Sequence, residues 1–494
     1  MSYAKGAIMS VVDIIVLGAG VSGHTAAMYA KRYLGQDANV IVISPEEQYN
    51  WIPSNIWVGV GQMNAEDVLI PLAPVYEKHD VTFYQGRAQE LYPEGRTLNS
   101  KPSIVYESTE ISTLGEKREI HYDFLINATG PKLNFGATPG LGPGGFSVSV
   151  CKASHATEAA LQLASLIKEM KQGIKKTLLV GMGHGTCTCE GAAFEYVFNV
   201  DTELRRQGVR ENAELIYITN EAELGDFGVD GIQLDVGGFI TPSKMMADSL
   251  FFEKQIKVFL GAHPERLEKN KLFYTDLSGK RGEIDFDFAM LLPPFKGNRL
   301  KTLNQLGEDI TEKLFTPADF MRVDADYSPK IYADWRPEDW PRHYQSPYYK
   351  NVFAIGIAFA PPHQISKPQK NPEGILITPA PPRTGMPSAM MGRVVAENIA
   401  YQVKTGKMGR KTASMSDMGA ACIASIGTGY KKGAAVSITM CPIVPDYLKY
   451  PETGRNINVT FGEVGRSGHW IKKMLHYLFI YKAKGYPFWW IIPE

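Results

Sequence analysis

Apolar residues along this chain fall into short continuous runs and into helical stripes, and their order repeats. The run Asp13-Ile-Ile-Val-Leu17 predicts a buried strand, and Gly18-Ala-Gly20-Val-Ser-Gly23 a tight turn. A helix from His24 to Tyr33 follows, then a second strand from Asn39 to Ser44. Continuous apolar strands bounded by glycine suit a parallel sheet buried on both faces. In such a unit Gly18 permits the turn, Gly20 lets a pyrophosphate approach the backbone, and Gly23 lets the helix pack against the strand. The helix N-terminus then faces the phosphates. The acidic residue that commonly closes the second strand and binds the ribose is replaced by Ser44, with Glu46 and Glu47 just beyond. Ribose bonding then falls to that hydroxyl or to one of the glutamates.

A second unit follows a helical stretch from Ala153 to Lys171. It reads Thr177-Leu-Leu-Val-Gly181-Met-Gly183-His-Gly185, but continues Thr186-Cys187-Thr188-Cys189-Glu190-Gly191, a spacing unsuited to a pyrophosphate. NAD(P)H binding is not expected there. A further strand ends at Phe353-Ala-Ile-Gly356, a proline-rich loop spans Pro361 to Pro382, and Arg383-Thr384-Gly385 leads into a helix from Ser388 to Val403. The predicted fold is α/β, with two Rossmann-like dinucleotide-binding domains of the glutathione-reductase type and a small C-terminal α+β, membrane-associating region. The expected boundaries are 11–150 with 345–405 for the first, discontinuous dinucleotide-binding domain, 151–344 for the second, and 406–494 for the C-terminal region.

The last helix, His469 to Lys482, carries apolar residues at 470, 471, 474, 475, 478 and 481, with Lys472, Lys473 and His476 opposite. Lys484, Pro487 and Trp489-Trp490 follow. A basic amphipathic helix with terminal tryptophans fits a membrane interface. The same stripe also fits a helix packed on its own protein's core. No window approaches the roughly 18–20 apolar residues of a spanning helix, and the first 13 residues have no signal-peptide pattern. The expected location is therefore peripheral, on the cytoplasmic face of a membrane.

Lys+Arg and Asp+Glu both total 52, so no positive field exists to hold nucleic acid. Five cysteines (Cys151, Cys187, Cys189, Cys422, Cys441) lack the density of a disulfide scaffold. The Cys187-x-Cys189 spacing has no second nearby pair, so no metal site is expected. By themselves these thiols read as buried core residues.

Seven phrases change that picture. They are Gly18-Ala-Gly20-Val-Ser-Gly23, Trp51-Ile-Pro53-Ser54-Asn55, Ala128-Thr129-Gly130-Pro131-Lys132-Leu133, Ser149-Val-Cys151, Cys189-Glu-Gly-Ala-Ala-Phe-Glu195, Leu291-Leu-Pro-Pro-Phe-Lys-Gly-Asn298 and Ala421-Cys422. Together and in this order they resemble the sulfide:quinone oxidoreductase family. The resemblance implies a flavoenzyme that oxidises sulfide to polysulfide or zero-valent sulfur and passes two electrons through FAD to a membrane quinone. It implies that Cys189 and Cys422 are the redox pair. Cys151 takes a flavin-side place, covalently bound to FAD in some members, and His155 matches a histidine that assists proton transfer. FAD would lie against Gly18, Gly20, Gly23, Ser44, Pro53, Ser54, Thr129, Gly130, Cys151, Gly356, Arg383, Thr384 and Gly385. Phe359, Tyr430 and Tyr447 are the aromatic candidates for the quinone, and a homo-oligomer is expected.

The chemistry agrees with those residue types. A disulfide accepts attack by hydrosulfide and releases a thiolate, a two-electron donor. The sequence departs from the family's pattern at three places: Ile357 replaces a ribityl-binding aspartate, Arg383 replaces a lysine, and Asp226 stands where a histidine is common. Cys187 and Cys441 read as structural, Cys187 with an option as a resolving thiol. A type-II NADH:quinone oxidoreductase and the flavin subunit of a flavocytochrome c sulfide dehydrogenase are the competing assignments.

Overall fold

In the computed structural model, residues 11–97, 100–427 and 433–494 are described. The strand Val12–Leu17 is wholly buried over its last four residues and pairs in parallel with Ala38–Ser44 on one side and Phe124–Asn127 on the other. Val352–Ala354 adds the outer parallel strand beside Phe124–Asn127, so residues from two distant parts of the chain build one sheet. Beyond Ala38–Ser44 the sheet continues through Thr82–Tyr92 to the antiparallel strands Ser103–Ser108 and Lys117–His121. The carboxyl ends of the four neighbouring parallel strands, Leu17, Ser44, Asn127 and Ala354, therefore stand along one edge, where ligands of doubly wound sheets bind.

The helix Val21–Leu34 starts three residues before the expected His24 and packs along Gly385–Thr405, which likewise starts before Ser388. Their approach is close: a Cβ on Gly392 would lie 2.4 Å from the Ser22 carbonyl oxygen. A second parallel sheet orders Lys257–Phe259, Ala213–Ile218, Lys176–Met182 and Phe288–Leu292. The fold is α/β with two such sheets. An antiparallel sheet of three strands, Ala262–Glu268, Lys271–Asp276 and Arg281–Asp285, packs beside the second through a small apolar core around Leu179, Ile216, Leu267 and Leu291. A mixed five-stranded sheet joins the hairpin Gln233–Val236 and Phe239–Pro242 to Phe461–Gly465, Ala435–Met440 and Ala420–Ser425.

The last long helix, Arg466–Ala483, inverts one expectation. Its polar side faces the protein and its apolar side faces out. Lys472 and His476 are buried, while Trp470, Ile471, Met474, Tyr477 and Tyr481 are exposed. The physical reason is that the inward polar groups find partners. Lys472 Nζ bonds the Glu195 carboxylate and donates to the Ile423 carbonyl at 2.7 Å. His476 Nδ1 lies 2.8 Å from Ser54 Oγ, and Lys482 Nζ lies 2.6 Å from the Glu494 carboxylate. Packing of the apolar stripe on the protein's own core is therefore overturned. The tryptophan pair also divides: Trp489 is 4% exposed, set edge-on to Tyr29, and the Arg32 guanidinium lies 3.8 Å over Trp490. Phe488 and Ile491 are the exposed side chains of that segment. Among the described residues, no helix is long and apolar enough to cross a membrane.

Candidate active site

The edge formed by Leu17, Ser44, Asn127 and Ala354 is shaped for a dinucleotide. Gly18 has φ +94°, and a Cβ there would sit 2.3 Å from the Ala128 carbonyl oxygen, while one on Gly23 would meet the Gly18 oxygen at 2.0 Å. Gly20 faces open space within 4 Å and forms the N-cap of Val21–Leu34 with no side-chain cap, which leaves that helix terminus available to an anion. Beside it, Thr129 donates from both N–H and Oγ1 to Asn127 Oδ1. The Asn298 amide holds the Thr129 and Gly130 carbonyls at 3.1 Å. Gly356 has φ +64° and abuts Ser22, and Thr384 is the uncapped N-cap of Gly385–Thr405. Two free helix termini and three glycine surfaces thus converge at one sheet edge, and these residues fit a flavin dinucleotide.

Not every expected contact points there. The Ser54 hydroxyl is engaged by His476, and Pro53 is exposed. Ser44 is buried at its strand end, whereas Glu46 pairs with Lys152 at 3.0 Å. Ile357, in place of an aspartate, contributes its carbonyl oxygen, which accepts from Arg383 Nη1 at 2.9 Å; the same Nη1 lies 3.1 Å from the Phe359 carbonyl. Burial lowers the Arg383 guanidinium to about 10, which still leaves it charged at neutral pH, and Cys189 feels that charge.

Cys189 is the N-cap of the helix Glu190–Arg206 and holds a left-handed backbone, φ 74°, a conformation that costs a residue with a Cβ roughly 1–2 kcal/mol. Burial pushes its thiol up to about 12, opposed by Thr188 and Arg383. Cys151 lies within its electrostatic reach and is itself pushed up to about 11 by burial, with Ser149 favouring the thiolate. Ser149 Oγ also lies 2.8 Å from His155 Nδ1, so the serine stands between histidine and cysteine. Burial, then Lys152, lower the His155 pKa.

Cys422 approaches from the other side. Its strand, Ala420–Ser425, lies along Glu190–Arg206: Ser425 N donates to Glu195 Oε1 at 3.0 Å, Asn199 bonds Ser425, and Thr202 Oγ1 reaches the Ile426 carbonyl. Strand and helix therefore run in the same direction. Cys422 stands three residues back along that strand, with Lys472 and Glu195 as its charged neighbours. Burial raises the Cys422 thiol, and Lys472 opposes that rise. All five cysteines are free thiols. Cys187 is fully buried, its thiol donating to the Leu292 carbonyl at 3.1 Å, and Cys441 lies apart beside Asp417.

The second glycine turn is covered by the chain itself. Thr378 N donates to the Gly185 carbonyl and Ala380 N to the Cys187 carbonyl, both at 2.8 Å, and Thr188 Oγ1 reaches the Pro381 carbonyl at 3.0 Å. His184 is edge-on to His263, whose Nδ1 accepts from Gly185 N.

The aromatic candidates separate. Phe359 is buried against Tyr344 and Arg383, while Tyr447 is half-exposed and lies near Asp230 and Arg455. Tyr430 lies outside the described residues. A cavity of about 170 Å³ opens instead beneath the last helix, lined by Trp57, Gln62, Met63, His469, Lys473, His476 and Tyr477. Trp57 Nε1 donates to Ser425 Oγ at 3.1 Å, and so reaches the hydrogen-bond cluster of Glu195 and Lys472. Trp57, Glu195 and Lys472 were not singled out from the sequence. Glu195 closes one of the seven phrases, but a buried partner 277 positions away leaves no local signal.

Comparison with known proteins adds an independent line. Residues 12–209 match the family model of pyridine nucleotide-disulphide oxidoreductases. The chain is 29% identical over 391 residues to the sulfide-quinone reductase of Aquifex aeolicus (strain VF5), covering 79% of this chain and 76% of that protein. The crystal structure of the sulfide:quinone oxidoreductase of Aquifex aeolicus superposes with a TM-score of 0.73 at 26% identity, over 96% of this chain and 92% of that one. NDH2 of Plasmodium falciparum in complex with NADH shares the fold, at a TM-score of 0.63 and 11% identity over 96% of both chains.

Proposed function

We propose, from the premise that this chain belongs to the sulfide:quinone oxidoreductase family of flavoproteins, that it oxidises sulfide at Cys189 and Cys422 and delivers the electrons to a membrane quinone. The observation that carries this is the position of Cys189. It caps a helix with Cys151 and the buried Arg383 in its field, while Cys422 lies on the strand packed along that same helix.

FAD, when bound, supplies a two-electron relay between cysteine sulfur and quinone. Gly18, Gly20, Gly23, Thr129, Gly130, Gly356, Thr384 and Gly385 would hold it, with Ser44 toward the ribose. Hydrosulfide attacks a Cys189–Cys422 disulfide, one sulfur becomes a persulfide, and the other is released as thiolate. Arg383 favours that thiolate, since a buried cation beside sulfur stabilises the charged form. Cys151 and His155, joined through Ser149, stand on the flavin side. Retention of FAD on the denatured polypeptide would assign a covalent bond to Cys151, and its release would exclude one.

The quinone reaches the protein from lipid. The cavity beneath the last helix, beside its exposed apolar face, is a better entry than Phe359, which is buried, or Tyr447, which lies toward Asp230. A type-II NADH:quinone oxidoreductase needs an open second glycine turn, and here residues 378–381 lie across it.

Anaerobic stopped-flow tests the proposal. Sulfide should bleach the bound flavin and a soluble quinone should restore it. Flavin that stays oxidised with sulfide and is reduced by NADH would overturn the assignment.

A further inference from the structure

Directly after Cys189 stands a residue the mechanism has not used. Glu190 opens the helix Glu190–Arg206, is 0% exposed, and neither carboxylate oxygen meets a hydrogen-bond donor. Its Oε2 lies 3.6 Å from where a Cβ on Gly228 would stand, so the carboxyl group is directed at the loop after the strand Ala213–Ile218. Its polar neighbour is Asn220, whose amide is committed to the Gly185 and Cys187 carbonyls and whose Oδ1 has no partner. An ionised carboxylate in that position would have only its own backbone N–H and the already committed Asn220 amide to favour it, and would face the Asn220 oxygen as an acceptor. A protonated one has an O–H to offer.

Two further carboxyl groups extend from Glu190 toward solvent. Glu221, 1% exposed, accepts from Phe227 N at 2.8 Å and from Thr219 Oγ1 at 2.9 Å. Asp226, partly exposed, accepts from Ser366 Oγ and from Gly228 N. Asp230 follows, bonded by Tyr332 and by Lys367 N at the surface. The electrostatic neighbours run in the same order: Glu190 feels Glu221 and Asp226, Glu221 feels Asp226, and Asp226 feels Asp230. Burial is the first cause in each case; it lifts Glu190 well above the ordinary range, Glu221 to about 7, and Asp226 upward.

We propose that Glu190 is the proton-exchange partner of Cys189, and that Glu221 and Asp226 connect it to solvent. This rests on Cys189 being a redox cysteine. As hydrosulfide attacks Cys422 Sγ in the disulfide, the S–S bond breaks and the Cys189 sulfur takes the Glu190 proton. The sum is HS⁻ + Cys422–S–S–Cys189 + Glu190–COOH → Cys422–S–SH + Cys189–SH + Glu190–COO⁻. One negative charge stands on each side, and the sulfide sulfur gives two electrons to the disulfide. The carboxylate recovers the proton when Cys189 is next needed as thiolate, and Glu221 exchanges it with solvent by way of Asp226.

Glu190→Gln keeps size and neutrality but cannot transfer the proton, so it is the informative variant. Infrared spectra of the purified protein at neutral pH should show a protonated-carboxyl C=O band that the variant lacks. Alkylation of reduced Cys189 by iodoacetamide, followed by peptide mass spectrometry, should shift its pH midpoint down by about one unit in the variant, because no negative charge then builds beside the thiol. Sulfide-driven flavin reduction should slow by roughly 100-fold, the scale of general acid catalysis, with its dependence on Glu221 titration lost. Absence of the band in wild type, an unmoved alkylation midpoint, or an unchanged pH–rate profile would each overturn the proposal. A wild-type protein that ignores sulfide yet shows both the band and the midpoint shift removes the catalytic step and so overturns this role too. The failure then lies in the assigned function, not in the Glu190–Cys189 coupling.

Discussion

Lys472 crosses from the last helix to the carboxylate of Glu195, one and a half turns into the helix that Cys189 caps. Both side chains are nearly buried, and Ser425 Oγ donates to the same carboxylate at 2.6 Å. Removing one partner strands the other charge inside. Glu195→Ala is therefore expected to cost about 3–5 kcal/mol in urea unfolding, and Lys472→Met in the Glu195→Leu background should recover most of it. Equal destabilisation by single and double variants would show that the pair is not coupled.

The glycines of the first turn should divide by phenotype. Gly20→Ala places a methyl group in open space, so the protein should fold with normal circular dichroism yet purify with reduced flavin colour. Gly23→Ala drives a carbon into the Gly18 carbonyl and should yield little folded protein. Full flavin occupancy in Gly20→Ala would displace the cofactor from that helix terminus.

At the cysteines, Cys189→Ser and Cys422→Ser should each abolish sulfide-driven flavin bleaching with FAD retained, since either removes half of the pair. Cys187→Ser should change the rate by less than about threefold. Its hydroxyl can donate to the Leu292 carbonyl as the thiol does.

The acid residues give a pH dependence of stability with a definite sign. Glu221 is raised from 4.5 to about 7, so the native state binds a proton that the unfolded chain has lost between those values. Its contribution is fully present below pH 4.5 and is lost as pH rises through about 7. Glu221→Gln should gain roughly 2–3 kcal/mol over wild type at pH 8 and little at pH 4.5. The variant-minus-wild-type difference is the quantity to measure, because buried His24 and half-buried His184, both lowered to about 4, slope the other way.

Membrane attachment is best tested on the outward face. Met474→Glu with Tyr477→Glu changes exposed side chains only and should release the protein from liposomes in flotation, each lost apolar contact removing up to about 1.5–3 kcal/mol. Truncation at His469 is a poor test, since it also removes Lys472, His476 and Trp489 from the interior. Unaltered flotation of the double variant would place the lipid contact elsewhere.

Local patterns carried the nucleotide-binding turn into the structure: the glycines at 18, 20 and 23 predict a strand, a turn and a helix, and Gly18 and Gly23 lie where close backbone approach requires glycine, while Gly20 faces open space. The second turn was legible too, as an irregular glycine series that its own chain covers. What escaped were relations between distant segments. The polar stripe on the last helix carries no mark of facing inward, because a sequence gives the side of a helix but not its neighbour. Glu195, Ser54, Glu494 and the Ile423 carbonyl turn that stripe inward. Glu190 likewise looks like an ordinary first-turn acid, favourable at a helix N-terminus, until the fold removes water from around it.

The last helix has two unlike surfaces with separate duties. Substitutions on its outer side are expected to act on the proposed lipid contact, and those on its inner side reach Glu195, Ser425 and the strand that carries Cys422. The two sides meet at ring contacts, His476 with Tyr477 and His469 with Trp470. A lineage that moves to a membrane of different thickness or charge is therefore expected to vary Ile471 and Met474 before Lys472 and His476, which interior partners hold.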